Sequence, residues 1–246
     1  MTKRTWSEDT AKTRISARLA EVEKVTIKEY VRTTNLQGLG NGVDSRVAGV
    51  HFVVDCFSIG KMLTVRAFGG EPCHKRTLRF LNLHYRAVRD ILLDVDAIEV
   101  DFHNQRLHAV FAKPYGDERA RIHKAVATAQ LIRDVLAKTD EDGVDPLPAA
   151  KTRVGIDSGL ALAVNNGRRS RREPLFLGNP ANQAAKRAGG NAEGIYMTNS
   201  ARAVVGWDEV PNVDATALTA AQIEKAQTGA DLPVTVDSVL KGWKED

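Results

Sequence analysis

Hydrophobic residues along this chain follow two spacings, one typical of strands and one typical of helices. Residues 50–54 form a largely apolar run, dense in Val with one Phe and no acid, Lys or Arg, which predicts a buried central strand. Residues 75–93 and 117–136 place apolar side chains every three or four positions, which predicts two amphipathic helices. Between those helices, residues 97–102 and 106–111 have the composition of short strands.

The remaining elements follow from the same spacings. Residues 1–34 predict a charged helical lead, and the glycine-rich residues 36–47 predict a loop. A hairpin is expected where the sequence DSG separates residues 152–156 from residues 160–164. Toward the end of the chain the pattern predicts a helix over 180–188, a strand over 194–198, helices over 200–205 and 214–227, and a final strand over 232–240.

The order of these elements indicates an α/β fold of the α+β class. Strands and helices follow the order βαββαβ around a mixed, mostly antiparallel sheet. The length of 246 residues fits one such domain with added segments at its ends. We therefore divide the chain into an N-terminal helical lead and loop, residues 1–47, and one domain, residues 48–246.

Composition places the chain among ordinary soluble globular proteins, with 43% hydrophobic and 27% charged residues. Two cysteines, Cys56 and Cys73, are too few for a disulfide framework. No apolar run reaches the roughly 20 residues of a membrane-spanning helix, and the first residues do not have the pattern of a secretory signal. We therefore expect a cytoplasmic protein without membrane contact.

The net charge of +4 permits nucleic-acid binding but does not require it. The densest basic segment, residues 168–172, is either a solvated loop or a loop that meets an anionic ligand. A nucleic-acid-binding domain on this kind of sheet would carry clustered aromatic residues for base stacking, whereas Phe52 and Phe102 are scattered. We therefore expect no nucleic-acid partner.

Two short segments carry side chains that could bind a ligand or take part in a reaction. Asp55 ends the apolar run as a lone carboxylate, a group that can hold a hard divalent cation. The sequence FLGNPANQAAKR, residues 176–187, is a Gly-Asn turn that opens a helix with Asn182 and Lys186 four positions apart. An amide and a cation one helical turn apart can hold a ribose and a phosphate. Together the segments indicate metal-dependent chemistry on a nucleoside triphosphate.

Four motifs in order resemble those of class III nucleotidyl cyclases. The family has a strand ending in Asp-Ile-x-Gly-Phe-Thr, a hairpin ending in Ala-x-Phe, a Val-Gly-Ile-x-x-Gly segment and a helix Gly-Asp/Asn-x-Val-Asn-x-Ala-x-Arg. This chain has HFVVDCFS at 51–58, LHAVF at 107–111, RVGIDSG at 153–159 and the helix motif at 178–186. Each motif alone is weak, and their common order makes the resemblance specific.

The resemblance implies a ferredoxin-like cyclase core that forms a homodimer with two sites. One protomer supplies the metal carboxylates and the other supplies the ribose-phosphate helix. Two divalent cations, Mn²⁺ or Mg²⁺, are implied as cofactors. Asp55 matches the first metal ligand, and the backbone carbonyl of Cys56 is placed to assist it. Backbone N–H groups at Phe57 and Ser58 could cradle the phosphates.

The second metal carboxylate is where the chain departs from the family. The family position falls on Gln105, which is a poor ligand for a hard cation. The nearest acid is Asp101, for which three roles stay open. It is a metal ligand, a residue that faces the nucleobase, or a solvated residue at a strand end. The metal role is favoured, because a two-ion mechanism without a second carboxylate loses much of its charge stabilisation.

The helix motif implies specific roles for its polar residues. Asn182 matches the residue that orients the ribose, and Lys186 falls where the family has an arginine that stabilises the pentavalent phosphate. Arg187 is the second choice, since it points about 100° away around the helix. A solvated helix face is the alternative for both cations. Lys241 in VLKGWK resembles a terminal Lys-Gly that holds the β- and γ-phosphates.

The base-reading positions point to a pyrimidine. Purine cyclases read the base with a hairpin Lys or Glu and with an Asp or Cys before the helix motif, where this chain has Leu175. The chain therefore resembles most the pyrimidine cyclases of bacterial Pycsar anti-phage systems, which make cyclic UMP or cyclic CMP to activate a separate effector protein. UTP is favoured over CTP, because a carboxylate at Asp101 could accept the uracil N3–H. A degenerate domain that binds a nucleotide without cyclising it stays open, because of Gln105 and Lys186.

Overall fold

The computed structural model describes residues 7–23, 26–29, 43–55, 74–103, 106–138, 150–168, 171–190 and 192–245. Within these ranges the strands are β1 (Thr26–Glu29), β2 (Val43–Asp55), β3 (Ile98–His103), β4 (Arg106–Phe111), β5 (Arg153–Arg168), β6 (Arg171–Leu177) and β7 (Gly194–Met197). The helices are α1 (Glu8–Val22), α2 (His74–Asp94), α3 (Glu118–Ala137), α4 (Asn179–Ala188), α5 (Asn199–Val205), α6 (Ala220–Thr228) and α7 (Val236–Glu245). None of these described helices is long and apolar enough to cross a membrane.

The chain divides into two compact units whose boundaries fall inside the long strands β2 and β5. The first unit comprises Met1–Val47 and Leu162–Leu177, and the second comprises Ala48–Ala161 and Gly178–Asp246. Within the described residues the strands form one sheet with the order β3-β4-β2-β5-β6. On that sheet β1 pairs with β2, and β7 pairs with β5.

The second unit has the element order β2-α2-β3-β4-α3-β5, which is the predicted βαββαβ order. Strand β4 pairs antiparallel with both β2 and β3, and β7 runs parallel to the start of β5. The sheet is therefore mixed and open, with antiparallel central strands. The predicted α+β class and ferredoxin-like core are confirmed.

One face of the central strands forms the main hydrophobic core with helices α2 and α3. Phe52 of β2 and Phe111 of β4 meet edge to face with ring centroids 5.6 Å apart. The helices contribute buried aliphatic side chains to this core, which include Val88, Ile91, Leu92, Ile122, Val126, Ile132 and Leu136. Alternate residues of a strand point to opposite faces, and Val53 accordingly belongs to a separate small cluster. The candidate site lies on the face of Val53.

The first unit contains two strand pairs and helix α1. The start of β2 pairs in parallel with β1, and the end of β5 pairs antiparallel with β6. Phe176 of β6 is buried, whereas its neighbours Leu175 and Leu177 are 38% and 50% exposed. Helix α1 likewise exposes Ile15 and Leu19. Among the described residues, most exposed large apolar side chains therefore belong to this unit.

The predicted hairpin around residues 157–159 is wrong, because β5 runs unbroken through them. The sequence DSG is typical of a turn. In the folded chain, however, the hydroxyls of Thr198 and Ser200 donate hydrogen bonds to the Asp157 carboxylate within the strand. The hairpin instead joins β5 to β6, with Arg168 paired to Arg171.

The predicted final strand over 232–240 is also wrong, because this segment leads into helix α7. The backbone N–H of Thr235 donates to the Ser238 hydroxyl, and the N–H of Ser238 donates to the Thr235 hydroxyl. This reciprocal pair starts the helix as a capping box does. Val239 and Leu240 then pack on the main core.

Two smaller corrections concern helix boundaries. The N-terminal helix ends at Val22, and Thr26–Glu29 forms a strand that pairs with residues 43–46 of the predicted loop. Helix α6 begins at Ala220 rather than at residue 214, because Thr219 and Gln222 form a capping box there. In both places a long-range pair or a local cap overrides the apolar spacing.

Candidate active site

Asp55 and Asp101 occupy positions on the same face of the sheet in the second unit. Asp55 is the last residue of β2 and pairs with Arg106 of β4, which pairs in turn with His103 of β3. Two residues further along β4, His108 pairs with Asp101. Residues two apart on a strand share a face, so basic and imidazole-bearing residues accompany both acidic positions.

The strand register also sets the distance between the two acidic positions. They are two strands and two residues apart, which puts their Cα atoms roughly 12 Å from each other. An aspartate reaches a bound cation roughly 5 to 6 Å from its Cα, so the separation leaves room for cations between the two positions. A pair of ions about 4 Å apart is compatible with the separation. Two acidic positions on a common face therefore fit a site for two hard cations.

Four predicted positions lie outside the described residues. They are Cys56, Phe57 and Ser58, which follow β2, and Gln105, which stands between β3 and β4 in the sequence. Their roles remain predictions. Among the described residues, no group of three or more His, Cys, Asp or Glu side chains is placed to hold a metal ion. The metal assignment therefore rests on the two backbone positions given above.

Two histidines approach each other on this face. His51 precedes Asp55 by four residues on β2 and is fully buried. Its Nδ1 lies 3.1 Å from Nε2 of His108, and the ring centroids are 5.3 Å apart. Burial, reinforced by the neighbouring His108, lowers the pKa of His51 to about 3. His51 is therefore neutral near pH 7, and one ring nitrogen of the pair donates to the other.

This buried histidine predicts a pH dependence of stability. Unfolded histidine takes up a proton below its ordinary pKa of 6.5, whereas folded His51 does so only near pH 3. Protons bind preferentially to the unfolded chain in that window, so the contribution of His51 to stability falls as the pH drops from 6.5. We expect urea unfolding to show a loss of roughly 2 kcal/mol by about pH 5.

The matched variant is His51→Gln, which removes the titrating ring. At about pH 8 both proteins have a neutral residue there, which sets the reference for each. The wild type should then lose more stability on acidification than the variant. Equal losses in the two proteins would contradict the assignment.

Helix α4 carries the predicted ribose and phosphate residues and packs directly on the sheet. Ala184 and Ala188 are fully buried and form a cluster with Val53 of β2. On β5, a Cβ at Gly155 would come within 2.0 Å of the Ala184 carbonyl oxygen and 2.5 Å of the Ala188 nitrogen. The Val-Gly-Ile segment needs its glycine because the backbones of strand and helix touch there.

A side chain at Gly155 must push α4 away from the sheet. We expect Gly155→Ala to lower the free energy of unfolding by about 3 kcal/mol or more, measured by denaturant unfolding. The matched control is Gly189→Ala at the end of the same helix, where φ is −70° and the nearest atom to a Cβ is 3.3 Å away. That change should cost less than about 1 kcal/mol. Similar stability of the two variants would show that α4 does not depend on this close approach.

Asn182 and Lys186 lie on the opposite side of α4. Both side chains are exposed, and each is about 200° around the helix from Ala184. The structure therefore brings the predicted pair together on one helical face, but that face points away from the sheet. Asp55 shares the sheet face of Val53, which lies against the buried side of the helix. Within one chain, the Asn182–Lys186 pair therefore lies on the far side of α4 from the sheet face of Val53 and Asp55.

Arg187, the second choice for the phosphate-binding cation, is engaged in the scaffold. Its guanidinium forms an ion pair with Asp214, and its side chain is 12% exposed. Its backbone carbonyl accepts a hydrogen bond of 2.7 Å from Nε of Arg153. A substrate-binding role for Arg187 would require breaking the ion pair. The geometry therefore favours Lys186.

A buried carboxyl group stabilises the scaffold beneath the site. Asp157 is 3% exposed and accepts hydrogen bonds from Thr198 and Ser200. Burial raises the pKa of Asp157, and these hydrogen bonds only partly offset the shift. The neighbouring Ser158 hydroxyl donates to Glu118 at 2.5 Å. These contacts connect β5 to the beginnings of α3 and α5.

The residues predicted to contact the base and the terminal phosphates, Leu175 and Lys241, lie on different elements. Leu175 lies on β6 in the first unit and pairs with Val164 of β5. Lys241 is an exposed residue of helix α7 in the second unit. Their predicted contacts with the base and with the terminal phosphates remain predictions.

Sequence reasoning missed several residues of this region. His51 and Arg106 could have been found by counting strand alternation from Asp55, because they share its face. Arg106 also approaches α4, since its Nη2 lies 3.8 Å from where a Cβ of Gly189 would be. Arg153 opens the RVGIDSG motif, and no local signal shows that its guanidinium is buried.

The chain is similar to known proteins over nearly its full length. No protein-family model matches it. A uridylate cyclase from Pseudomonas aeruginosa is 52% identical over 248 residues, which cover 99% of this chain and 48% of that protein. A uridylate cyclase from a Rhizobium species is 38% identical over 170 residues, which cover 68% of this chain and 32% of that protein. The chain thus spans about half the length of the first of these curated relatives and about a third of the second.

Solved structures point to the same family. The crystal structure of a class III adenylyl cyclase-like ATP-binding protein from P. aeruginosa has a TM-score of 0.90 and 51% identity, over 99% of this chain and 52% of that chain. The chain belongs to the class III nucleotidyl cyclase family. The adenylyl cyclase CyaB from P. aeruginosa, with a TM-score of 0.55 and 17% identity over 66% of this chain and 82% of that one, shares the class III fold. The resemblance carried by the four motifs is confirmed.

Proposed function

We propose that residues 48–246 form the catalytic domain of a uridylate cyclase, which converts UTP to cyclic UMP and pyrophosphate. The observation that carries this proposal is the 52% identity to a curated uridylate cyclase across 99% of the chain. The aligned region covers all four motifs rather than one segment. Because the chain covers about half of that relative, the proposal concerns the activity of this domain.

The geometry of α4 supports a site shared between two copies of the chain. Asn182 and Lys186 are exposed and point away from the sheet face of Asp55. In a homodimer with two equivalent sites, each site takes its carboxylates from one protomer and its helix face from the other. This arrangement supplies what one copy does not bring together.

Cyclisation requires the ribose 3′-hydroxyl to attack the α-phosphate in line while pyrophosphate leaves. Class III cyclases generally depend on divalent metal ions. Asp55 and Asp101 are the residues that would hold two such ions, Mg²⁺ or Mn²⁺. When bound, these ions lower the pKa of the attacking hydroxyl and neutralise charge on the phosphates.

The other residues of the site bind and orient the nucleotide. The Asn182 amide can donate to the ribose ring oxygen and accept from a ribose hydroxyl, which fixes the sugar for attack. The Lys186 ammonium supplies positive charge to the pentavalent phosphate, although without the two-pronged geometry of an arginine. Backbone N–H groups at Phe57 and Ser58 and the ammonium of Lys241 hold the remaining phosphates.

Base selection in this proposal rests on few polar contacts. Leu175 offers an apolar surface and no hydrogen bond to a purine edge. An acceptor near the base would favour uracil over cytosine through the N3–H. We assign Asp101 to the metal in preference to the base, because a two-ion mechanism needs a second carboxylate.

We further propose that cyclic UMP made by this domain is a second messenger in anti-phage defence and activates a separate effector protein in the cytoplasm. The Leu175 position supports a pyrimidine product of that kind. A cytidylate cyclase is the variant of this proposal that differs only in the base.

A second candidate function is nucleotide binding without cyclisation. A specific observation favours it, since the structural relative at 51% identity is described as an ATP-binding protein. Lys186 in place of the family arginine agrees with a reduced capacity to stabilise the pentavalent phosphate.

The experiment that separates these functions supplies the purified chain with ATP, GTP, CTP and UTP in turn, with Mn²⁺. We expect cyclic UMP as the main product, at least about tenfold above each other cyclic nucleotide. The control is Asn182→Ala, purified identically, which should form none. Dominant cyclic CMP would correct the base alone, and dominant cyclic AMP would overturn both the base and the anti-phage role. Nucleotide binding without any product would establish the second candidate.

A further inference from the structure

The guanidinium of Arg153 is buried at the C-terminal end of α4. The side chain stands on the first residue of β5 and is 3% exposed. Its Nε donates to the Arg187 carbonyl at 2.7 Å, Nη1 donates to the Ala192 carbonyl at 3.4 Å, and Nη2 donates to the Asp214 carbonyl. Asp214 also pairs with Arg187 through its side chain. One guanidinium thus joins three chain segments.

The surroundings of Arg153 fit a planar guanidinium. Its Cζ lies 3.4 Å from the ring centroid of the buried Tyr196, which is a cation–π contact. Gly190 has a φ of +135°, and a Cβ there would lie 3.0 Å from Nη1 of Arg153. A larger residue at this position would therefore be strained and crowded. The three carbonyls are bound by three separate nitrogens of the guanidinium, whereas a lysine in place of Arg153 offers only one nitrogen.

One of these hydrogen bonds, to the Arg187 carbonyl, falls on the helical turn that presents Lys186. The last carbonyls of a helix have no partner within the helix. The N–H of Gly189 donates to the carbonyls of Ala185 and Lys186 at 3.2 Å each, and Nε of Arg153 donates to the carbonyl of Arg187. A positive charge at this end also interacts favourably with the helix dipole.

We propose that Arg153 is a positioning residue for the cyclase reaction, which holds the last turn of α4 so that Lys186 meets the phosphate. This inference rests on the proposed function, because Lys186 acts only on a bound nucleotide. Lys186 is assigned to the transition state, so its displacement lowers kcat and kcat/KM together and leaves KM little changed. A displacement of about 1 Å is enough for a loss on the order of 100-fold.

The test compares two conservative changes at buried arginines. Arg153→Lys keeps the charge and loses the three-way geometry. Arg202→Lys is the matched control, since Arg202 of α5 is 1% exposed and its Nε and Nη2 have no hydrogen-bond partner among the described residues. We expect Arg153→Lys to lower kcat at least about tenfold with KM within about threefold, and Arg202→Lys to leave kcat within about twofold. Equal kcat in the two variants would overturn the proposal.

A double-mutant cycle distinguishes positioning from a general loss of structure. Lys186→Ala should lower kcat about 100-fold in the wild-type background. In the Arg153→Lys background the same change should cost less than about tenfold, because the ammonium is already displaced. Equal losses in both backgrounds would show that Arg153 does not act through Lys186.

Hydrogen exchange separates failure of this inference from failure of the proposed function. The Gly189 amide should exchange at least about tenfold faster in Arg153→Lys than in wild type, and at the wild-type rate in Arg202→Lys. Unchanged exchange at Gly189 would overturn the role of Arg153 in holding the helix. A wild type that forms no cyclic product would overturn the proposed function, and faster exchange in Arg153→Lys would still confirm the contact with α4.

Discussion

Asp55→Ala is expected to reduce cyclic-nucleotide formation by about a thousandfold or more. A divalent ion stabilises charge on the reacting phosphates by several kcal/mol, and Asp55 is the carboxylate that matches the first metal ligand. Asp55 is the last residue of β2, so the change should leave the preceding β2–β4 strand pairs intact. Product formation with Mn²⁺ measures the effect, and a size-exclusion profile checks that assembly is retained.

The matched control for Asp55 is Asp94→Ala, which removes an exposed carboxylate at the last residue of α2. That variant should keep the wild-type rate. Mn²⁺ binding followed by electron paramagnetic resonance gives a second measurement, in which Asp55→Ala should bind more weakly and Asp94→Ala should not. Near-wild-type activity of Asp55→Ala would remove Asp55 from the metal site.

The second large effect is recovery of activity when two inactive variants are mixed. In the proposed shared site, Asp55→Ala damages the carboxylate half and Asn182→Ala damages the helix half. A heterodimer of the two has one site with both halves intact and one site with both damaged. After random subunit exchange, half of the dimers are heterodimers, so the mixture should regain about one quarter of the wild-type activity.

The control is a mixture of two variants whose subunits exchange but cannot form an intact site. Asn182→Ala and Lys186→Ala both alter α4, so every dimer of this pair lacks an intact helix half. That mixture should stay at or below about one hundredth of the wild-type activity under the same conditions. If subunits exchange and the Asp55–Asn182 mixture also stays inactive, the whole site belongs to one chain.

Helix α4 shows how much of the candidate site can be predicted from neighbouring residues in the sequence. Asn182 and Lys186 are four residues apart, and helical geometry alone places them on one face. The same spacing assigns Ala184 and Ala188 to the other face, and burial agrees. The strand before Asp55 is equally local, because a run dense in Val and Phe without acid, Lys or Arg has few alternatives to a buried strand.

Local patterns were wrong where a distant partner or a helix cap decides the outcome. The sequence DSG is typical of a turn, but Thr198 and Ser200, more than 40 residues away, bond to Asp157 in an extended strand. The segment before the C terminus contains valines that favour a strand, yet the hydrogen bonds between Thr235 and Ser238 start a helix. In each case the spacing of apolar residues was ambiguous over a short segment.

The sequence by itself determined the elements of the core, the strand-end carboxylate and the paired face of α4, because each depends on periodicity or on neighbours within one turn. Only the tertiary structure decided that Arg187 is paired with Asp214, that Arg153 is buried against three carbonyls, and that His51 meets His108. It also decided that the Asn182–Lys186 pair lies on the side of α4 away from the sheet face of Asp55. These outcomes depend on which strands become neighbours and in which register, and register is set by packing across the whole sheet.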